Sequence, residues 1–266
     1  MRLNTIRSAA LSVFLAPIAA ASVIYSDGNF TPGTWGIEIT QANAGGTATA
    51  VQSAATGNPG AAFRVQTTVY AASGGPSTVW ALHRYGTTMA TRYEPATQGA
   101  IGALTYSLDY RLVQGFGDGH GFTFAIKQGQ TTYIGPYTTT GSSGVWRTFL
   151  HAGLTAADFS RLDGQPGMPD FSETGQPIRF GFVTSNTTLG ISYSITVDYD
   201  NFRVVVVPPC PADFNADGGV DGSDVIAFFA AWEAGAAAAD VNKDGGIDGS
   251  DVEAFFAVWE AGGCEE

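Results

Sequence analysis

Positive charge is what this chain has least of. Twelve Lys+Arg stand against 24 Asp+Glu in 266 residues, a formal charge of −12. Such a chain repels phosphates, which argues against binding nucleic acid or an anionic membrane through charge. Charged residues of both signs reach only 14%, against 44% hydrophobic, which is not the balance of a disordered protein. Cysteine occurs twice and histidine three times. No G-x-S-x-G elbow is present, and the alternating glycines from Gly115 to Gly121 lack the spacing of a dinucleotide fingerprint. After the N-terminus no apolar run is long enough to span a bilayer. Glycine, by contrast, is plentiful at 35 residues, and this points to a turn-rich β protein.

Residues 1–21 read as a secretory signal. Arg2 and Arg7 open it, the run from Ala9 to Ala21 is apolar, and Ala19-Ala20-Ala21 fits the small-x-small rule for a cut after Ala21. The run is short for a membrane anchor, which needs ~20 residues. The mature protein is therefore expected to be secreted or on the cell surface, with no transmembrane span after cleavage. In an oxidising compartment Cys210 and Cys264 are most simply a disulfide.

The negative charge is localised. Residues 22–207 carry nine basic and eleven acidic side chains, while residues 208–266 carry one Lys and thirteen acids. That acidic stretch is a repeat: 213–235 and 240–262 align without gaps at an offset of 27, with 18 of 23 positions identical. Each copy opens with short oxygen side chains at alternating positions. Asp213, Asn215, Asp217, Gly219 (through its carbonyl), Asp221 and Asp224 take loop positions 1, 3, 5, 7, 9 and 12. Asp240, Asn242, Asp244, Gly246, Asp248 and Asp251 repeat them. Gly218 and Gly245 stand at position 6, where such a loop turns sharply. An all-oxygen set without Cys or His suits calcium, one ion per loop, rather than zinc or copper. Val220 and Ile247 at position 8 are placed to join the loops through a short β contact. Ser223 and Ser250 are candidate helix caps. Val225, Phe228, Phe229 and Trp232, repeated as Val252, Phe255, Phe256 and Trp259, form one apolar helix face, and Gly235 and Gly262 stop the helices.

A loop of this form followed by one helix, twice, resembles the type I dockerin domain over residues 208–266. The resemblance implies a small all-α module that folds on calcium and docks onto a cohesin-like or other cell-surface partner. It departs from the family in its Gly222-Ser223 and Gly249-Ser250 pairs, in Phe229-Ala230 and Phe256-Ala257, and in its flanking cysteines and Trp-Glu-Ala-Gly ends. The partner need not be a standard cohesin.

Pro208-Pro209 reads as a stiff joint. Before it, period-two alternation marks strands at Leu104 to Leu112, Phe122 to Ile126, Ile178 to Phe182 and Tyr193 to Tyr199. Gly-rich breaks separate them, which predicts an all-β, jelly-roll-like sandwich over 22–207. Residues 155–163 are expected to add one helical turn. The segment from Gly115 to Gln130 resembles a stretch of concanavalin A-like lectins and glucanases, and Ile195 to Val206 resembles the last strand of many carbohydrate-binding sandwiches. The first resemblance implies a sugar-binding role for Asp118. The second implies a structural calcium near Asp198 or Asp200.

Sugar rings suit aromatic platforms beside polar groups. Trp35, Trp80, Trp146, Tyr85, Tyr93, Tyr133 and Tyr137 are available, with Tyr93 expected to be exposed and Trp80 to be core. Glycosidases need two carboxylates, yet the domain has three scattered Glu and only Asp109 with Asp118 as a nearby pair. The three histidines are expected in turns or at the surface. The reading is a non-catalytic polysaccharide-binding sandwich tethered by the calcium module, with no catalytic residue assigned. Two alternatives stay open: a glycoside hydrolase or polysaccharide lyase, and a structural surface protein.

Overall fold

The structure is a computed structural model that describes residues 22–86, 88, 91–116, 120–141 and 144–264. The expected signal sequence and Asp118 lie outside the described residues. The chain divides into two compact units, with the boundary between Pro209 and Cys210.

Twelve strands are described in the first unit. They are β1 (Val23–Asp27), β2 (Trp35–Ala42), β3 (Thr47–Gly57), β4 (Gly60–Val69), β5 (Ser77–Tyr85), β6 (Ala103–Gln114), β7 (His120–Gln128), β8 (Thr131–Thr139), β9 (Arg147–Leu154), β10 (Ser160–Arg161), β11 (Ile178–Thr188) and β12 (Tyr193–Val207). A short helix α1 (Pro95–Gln98) precedes β6, and the turn expected within 155–163 is the 3-10 turn Ala156–Asp158. One sheet runs β3-β4-β12-β6-β9, with β1 beside the second half of β12; the other runs β10-β8-β7-β11-β5-β2. Every pairing is antiparallel.

The alternation in β6, β7, β11 and β12 buries one side of each strand between the sheets. Phe63, Tyr106, Phe122, Phe124, Phe180, Phe182, Tyr199 and Phe202 fill that space. Burying one such ring stabilises by roughly 1.5–3 kcal/mol, so the unit has an ample core. His83 and His120 are in it too. His83 Nε2 meets Thr184 Oγ1 at 3.0 Å, and His120 bridges Asn186 Oδ1 (2.9 Å) and the Tyr199 hydroxyl (2.7 Å). They are not turn or surface residues, because each sits on the inward side of its strand.

The second unit holds α2 (Gly222–Glu233) and α3 (Gly249–Glu260), with the Cys210–Cys264 disulfide bringing its ends to a Cα separation of 5.4 Å. Residues equivalent by the repeat meet each other. Phe228 stacks on Phe255 at 4.4 Å with the rings 2° from parallel, and Phe229 lies 6.2 Å from Phe256. Trp232 Nε1 donates to the Asp248 carbonyl (3.0 Å), and Trp259 Nε1 to the Asp221 carbonyl (3.3 Å). Contacts of this kind define a pseudo-twofold pair. Gly235 (φ 63°) and Gly262 (φ 95°) end the helices in the left-handed region, as expected.

Candidate functional site

The two loops of the second unit have the same internal bonding. Asp213 Oδ1 and Oδ2 accept from the amides of Asp217 (3.1 Å) and Gly218 (3.1 Å); Asp240 accepts from Asp244 (3.1 Å) and Gly245 (3.0 Å). The backbone is the same as well. Position 4 is left-handed in both (Ala216 φ 58°, Lys243 φ 59°), and position 6 needs its glycine at φ 90° and 89°.

Asp224 and Asp251 at position 12 are fully buried, and each carboxylate accepts two backbone amides. Asp221 and Asp248 are the helix caps, each accepting from the Ser two residues on, which corrects the expectation that Ser223 and Ser250 would cap. The serines fall inside the first turn because the helix begins one residue after loop position 9. Those caps hold the Asp221 and Asp248 carboxyls below the usual range, through the Ser223 and Ser250 hydroxyls first and their amides second. The Val220–Ile247 β contact is absent among the described residues. Val220 instead lies against Gly263, and the cross-donating tryptophans link the loops.

This donor set fits a hard cation by chemistry: carboxylate and amide oxygens, with no sulfur or imidazole. Among the described residues no three His, Cys, Asp or Glu side chains already converge as a metal cluster. The loop carboxylates are turned onto the loops' own N–H groups instead.

In the sandwich, the sequence candidates are redistributed. Tyr93 is only 1% exposed, a correction to its expected place at the surface. It bridges to Ile178 and gives its hydroxyl to the carbonyls of Gln98 and Gly99, so its ring cannot stack on a ligand. Trp35 and Tyr85 pack with Phe202 in the core. Trp146 lies under the Arg111 guanidinium at 4.7 Å. Asp198 is fully buried and gripped by Arg64 (2.7 and 2.9 Å) and Arg111 (2.8 Å). Burial pushes its pKa up, but the two arginines outweigh this and hold it below the usual range. It is therefore a structural ion-pair centre. Asp200 has no such cation among the described residues. Burial, with Asp109 and Asp27 nearby, raises its pKa despite amide donation from Asn58 and Asn201. Asp109 is buried as well, accepting from Asn58, Asn201 and Thr148.

The outer face of the β10-to-β2 sheet gathers what sequence reasoning missed. Register places Gly121, Ser185, Trp80 and Gln41 in one row across β7, β11, β5 and β2, with Thr123, Val183, Leu82 and Glu38 in the next. Their inward neighbours are core residues, so both rows face out. Trp80, expected as core, is half-buried here, 6.3 Å from Tyr137. Tyr137 is 49% exposed, crosses β7 above Gly121 and hydrogen-bonds Ser185. Any side chain at Gly121 would overlap that ring. Leu82, Ala125 and Val183 form an apolar floor beneath.

Glu38 of β2 bonds Lys127 of β7 at 3.0 Å. Three strand spacings and four residues of offset separate their backbones by ~20 Å on a flat sheet. Two extended side chains and the bond reach roughly 14 Å. The sheet must therefore curl toward this face. A cavity of about 610 Å³ lies there, lined by Glu38, Gln41, Lys127, Thr132, Arg161 and Asp163 among others. Both of its carboxylates are in ion pairs, Glu38 with Lys127 and Asp163 with Arg161. Period-two alternation marked these strands but could not say which of two half-apolar faces was inside. The apolar Trp80 and Leu82 at successive outward positions of β5 were the signal available.

No family model matches the chain, and no curated protein does. Among solved structures it is similar to a family 11 carbohydrate-binding module from Clostridium thermocellum in complex with a β-1,3-1,4-mixed-linked tetrasaccharide. That likeness has 14% identity over 70% of this chain and 96% of that one, with a TM-score of 0.42. It is also similar to the C-terminal family 22 carbohydrate-binding module of Clostridium thermocellum Xyn10B (13%, 70% and 94%, TM-score 0.38). A third is the K1 cleaved adhesin domain of Lys-gingipain from Porphyromonas gingivalis W83 (9%, 68% and 97%, TM-score 0.36). All three likenesses are distant.

Proposed function

We propose that the curled outer face of the sandwich binds a polysaccharide, and that the C-terminal repeat is a calcium-dependent, dockerin-like tether to a cohesin-like or cell-surface partner. The observation that carries the first half is the Trp80–Tyr137 pair, held over Gly121 above an apolar floor and beside a polar cavity. Aromatic faces take the apolar side of a sugar ring while the polar rim takes its hydroxyls. The second half rests on the duplicated oxygen-donor loops. When bound, calcium supplies the positive charge that four neighbouring acids per loop lack. Asp213, Asn215, Asp217, Asp221 and Asp224, with their counterparts in the second repeat, would hold the ion, and the buried Asp224 and Asp251 tie each loop to its helix.

Two measurements on the full chain test the proposal. Calcium titration should give two binding events and raise one thermal transition, both abolished by Asp213→Ala with Asp240→Ala; no heat and an unmoved transition would sink the calcium tether. Affinity electrophoresis against a polysaccharide panel should show retardation that Trp80→Ala weakens at least tenfold. Retardation unaffected by that change would remove the outer face as the binding site.

A further inference from the structure

The outer face of the same sheet carries a concentration of cations. Lys127 is directly opposite Arg179 on β11. Tyr93 bridges antiparallel to Ile178, which sets Arg92 beside Arg179 on the other side. Lys127, Arg179 and Arg92 therefore form one cross-strand row. Arg84 stands in the next row, opposite Gly181, with its guanidinium over Gly36 of β2. Four of the nine basic residues in 22–207 thus share one patch, in a domain whose net charge is −2.

Like charges placed opposite one another repel. The acids present compensate only in part, Glu38 pairing with Lys127 and Glu94 with Arg92. Arg179 spends Nη1 on the carbonyls of Gly86 (3.2 Å) and Thr88 (2.8 Å), which do not neutralise it. Arg84 Nε is buried with no hydrogen-bond partner among the described residues. Burial first, then Arg84 and Arg92, depress the Arg179 pKa, and Glu94 offsets only part of this. Half-buried guanidinium forks without a full set of acids suit a carboxylate or sulfate, which they hold by two parallel bonds. Arg84 lies four residues from Trp80 on β5, ~13 Å, so a ligand touching both must be an oligomer.

The geometry points to an anionic polysaccharide: the aromatic pair stacks on its rings while the Arg84–Arg92–Lys127–Arg179 patch binds its carboxylate or sulfate groups. This rests on the outer-face reading above. It does not follow from overall electrostatics, because a chain of net charge −12 is on balance repelled by polyanions.

The test measures binding of the full chain to polygalacturonate, a sulfated galactan and a neutral β-glucan by calorimetry at low salt. At least one anionic polymer should bind about tenfold or more tighter than the neutral one, and which of the two does so identifies carboxylate or sulfate. Arg84→Gln with Arg92→Gln should remove that advantage and leave neutral binding unchanged. Arg84→Lys, which keeps charge but not the fork, should remove part of it. If the double variant does not fold, loss of the advantage in the native protein at about 0.3 M salt serves instead. Equal affinity for neutral and anionic polymers, with binding still lost in Trp80→Ala, would overturn the anion selectivity alone. Binding of no polymer would overturn both readings.

Discussion

The two units solve the same problem with different means. The sandwich excludes water with a continuous aromatic core between two sheets, and buried polar groups such as Asp198 and His120 are held there by side-chain partners. The C-terminal unit has about 55 residues and one central ring stack, Phe228 on Phe255. Its remaining order comes from a disulfide and from carboxylates that accept backbone amides. A core that small rarely supplies more than ~3–5 kcal/mol. The lesson is that the first unit is stable by bulk, while the second depends on each of a few links and on what neutralises its acids.

The sharpest way to break this comparison is to make the same truncation in both. Phe228→Ala and Phe124→Ala each remove a fully buried ring and should each cost about 3–5 kcal/mol. In the sandwich that lowers the unfolding midpoint but leaves a folded domain. In the C-terminal unit it consumes the whole stability, so helical circular dichroism at 222 nm should vanish without calcium while the sandwich transition stays put. A Phe228→Ala protein that keeps its helices in a chelator would show that the disulfide and loops, not the rings, hold the unit.

Acid should separate the units next. Burial depresses His83 to about 3 and His120 to about 4, so both are neutral when folded. Unfolded histidine takes up a proton near 6.5. The unfolded state therefore binds more protons as pH falls below 6.5, and sandwich stability declines until the folded values are reached. At pH 5 the loss is about 2 kcal/mol per histidine. Asp200, raised by burial, offsets part of this by accepting a proton more readily when folded. The C-terminal unit has no histidine, and its depressed Asp221 and Asp248 hold their contribution until the pH falls below the ordinary Asp range. Denaturant unfolding at pH 7 and pH 5 should show only the sandwich weakening. A pH-independent sandwich midpoint would mean that its histidines are not buried neutral in solution.

The units also differ in how far their sequences could be read. In the repeat, the sharp turn at position 6, both helix faces and both helix stops were legible, because glycine at position 6 and apolar spacing at i, i+3, i+4 and i+7 are local signals; the capping residue and the contact made by position 8 were not. The tryptophan cross-bonds were not legible, since they join residues 16 and 38 apart. In the sandwich, the strands were legible but their two faces were not. Tyr93 sits in a polar tetrapeptide and is buried by its bridge to Ile178. Trp80 sits in an apolar run and faces out, because Leu82, Ala125 and Val183 form a second apolar layer there. Both errors have one cause: in a sheet with two half-apolar faces, long-range register decides what is inside.

The smallest effect tests whether the twofold is energetic as well as geometric. Trp232 and Trp259 are equivalent by the repeat, and each gives its indole N–H to the position 9 carbonyl of the opposite loop. Both rings are half-buried, so losing the bond should cost only about 1 kcal/mol. Phenylalanine keeps most of the ring packing and removes the donor. Trp232→Phe and Trp259→Phe should therefore lower the midpoint of the C-terminal transition by similar small amounts. Each should also weaken calcium binding at the opposite loop, because the carbonyl it releases belongs to the residue that caps that loop's helix. Equal costs would mean the two loops are coupled as a symmetric pair. A cost confined to Trp232→Phe, whose bond is 3.0 Å against 3.3 Å, would mean that the five differing positions of the repeat have already made one loop the dominant partner.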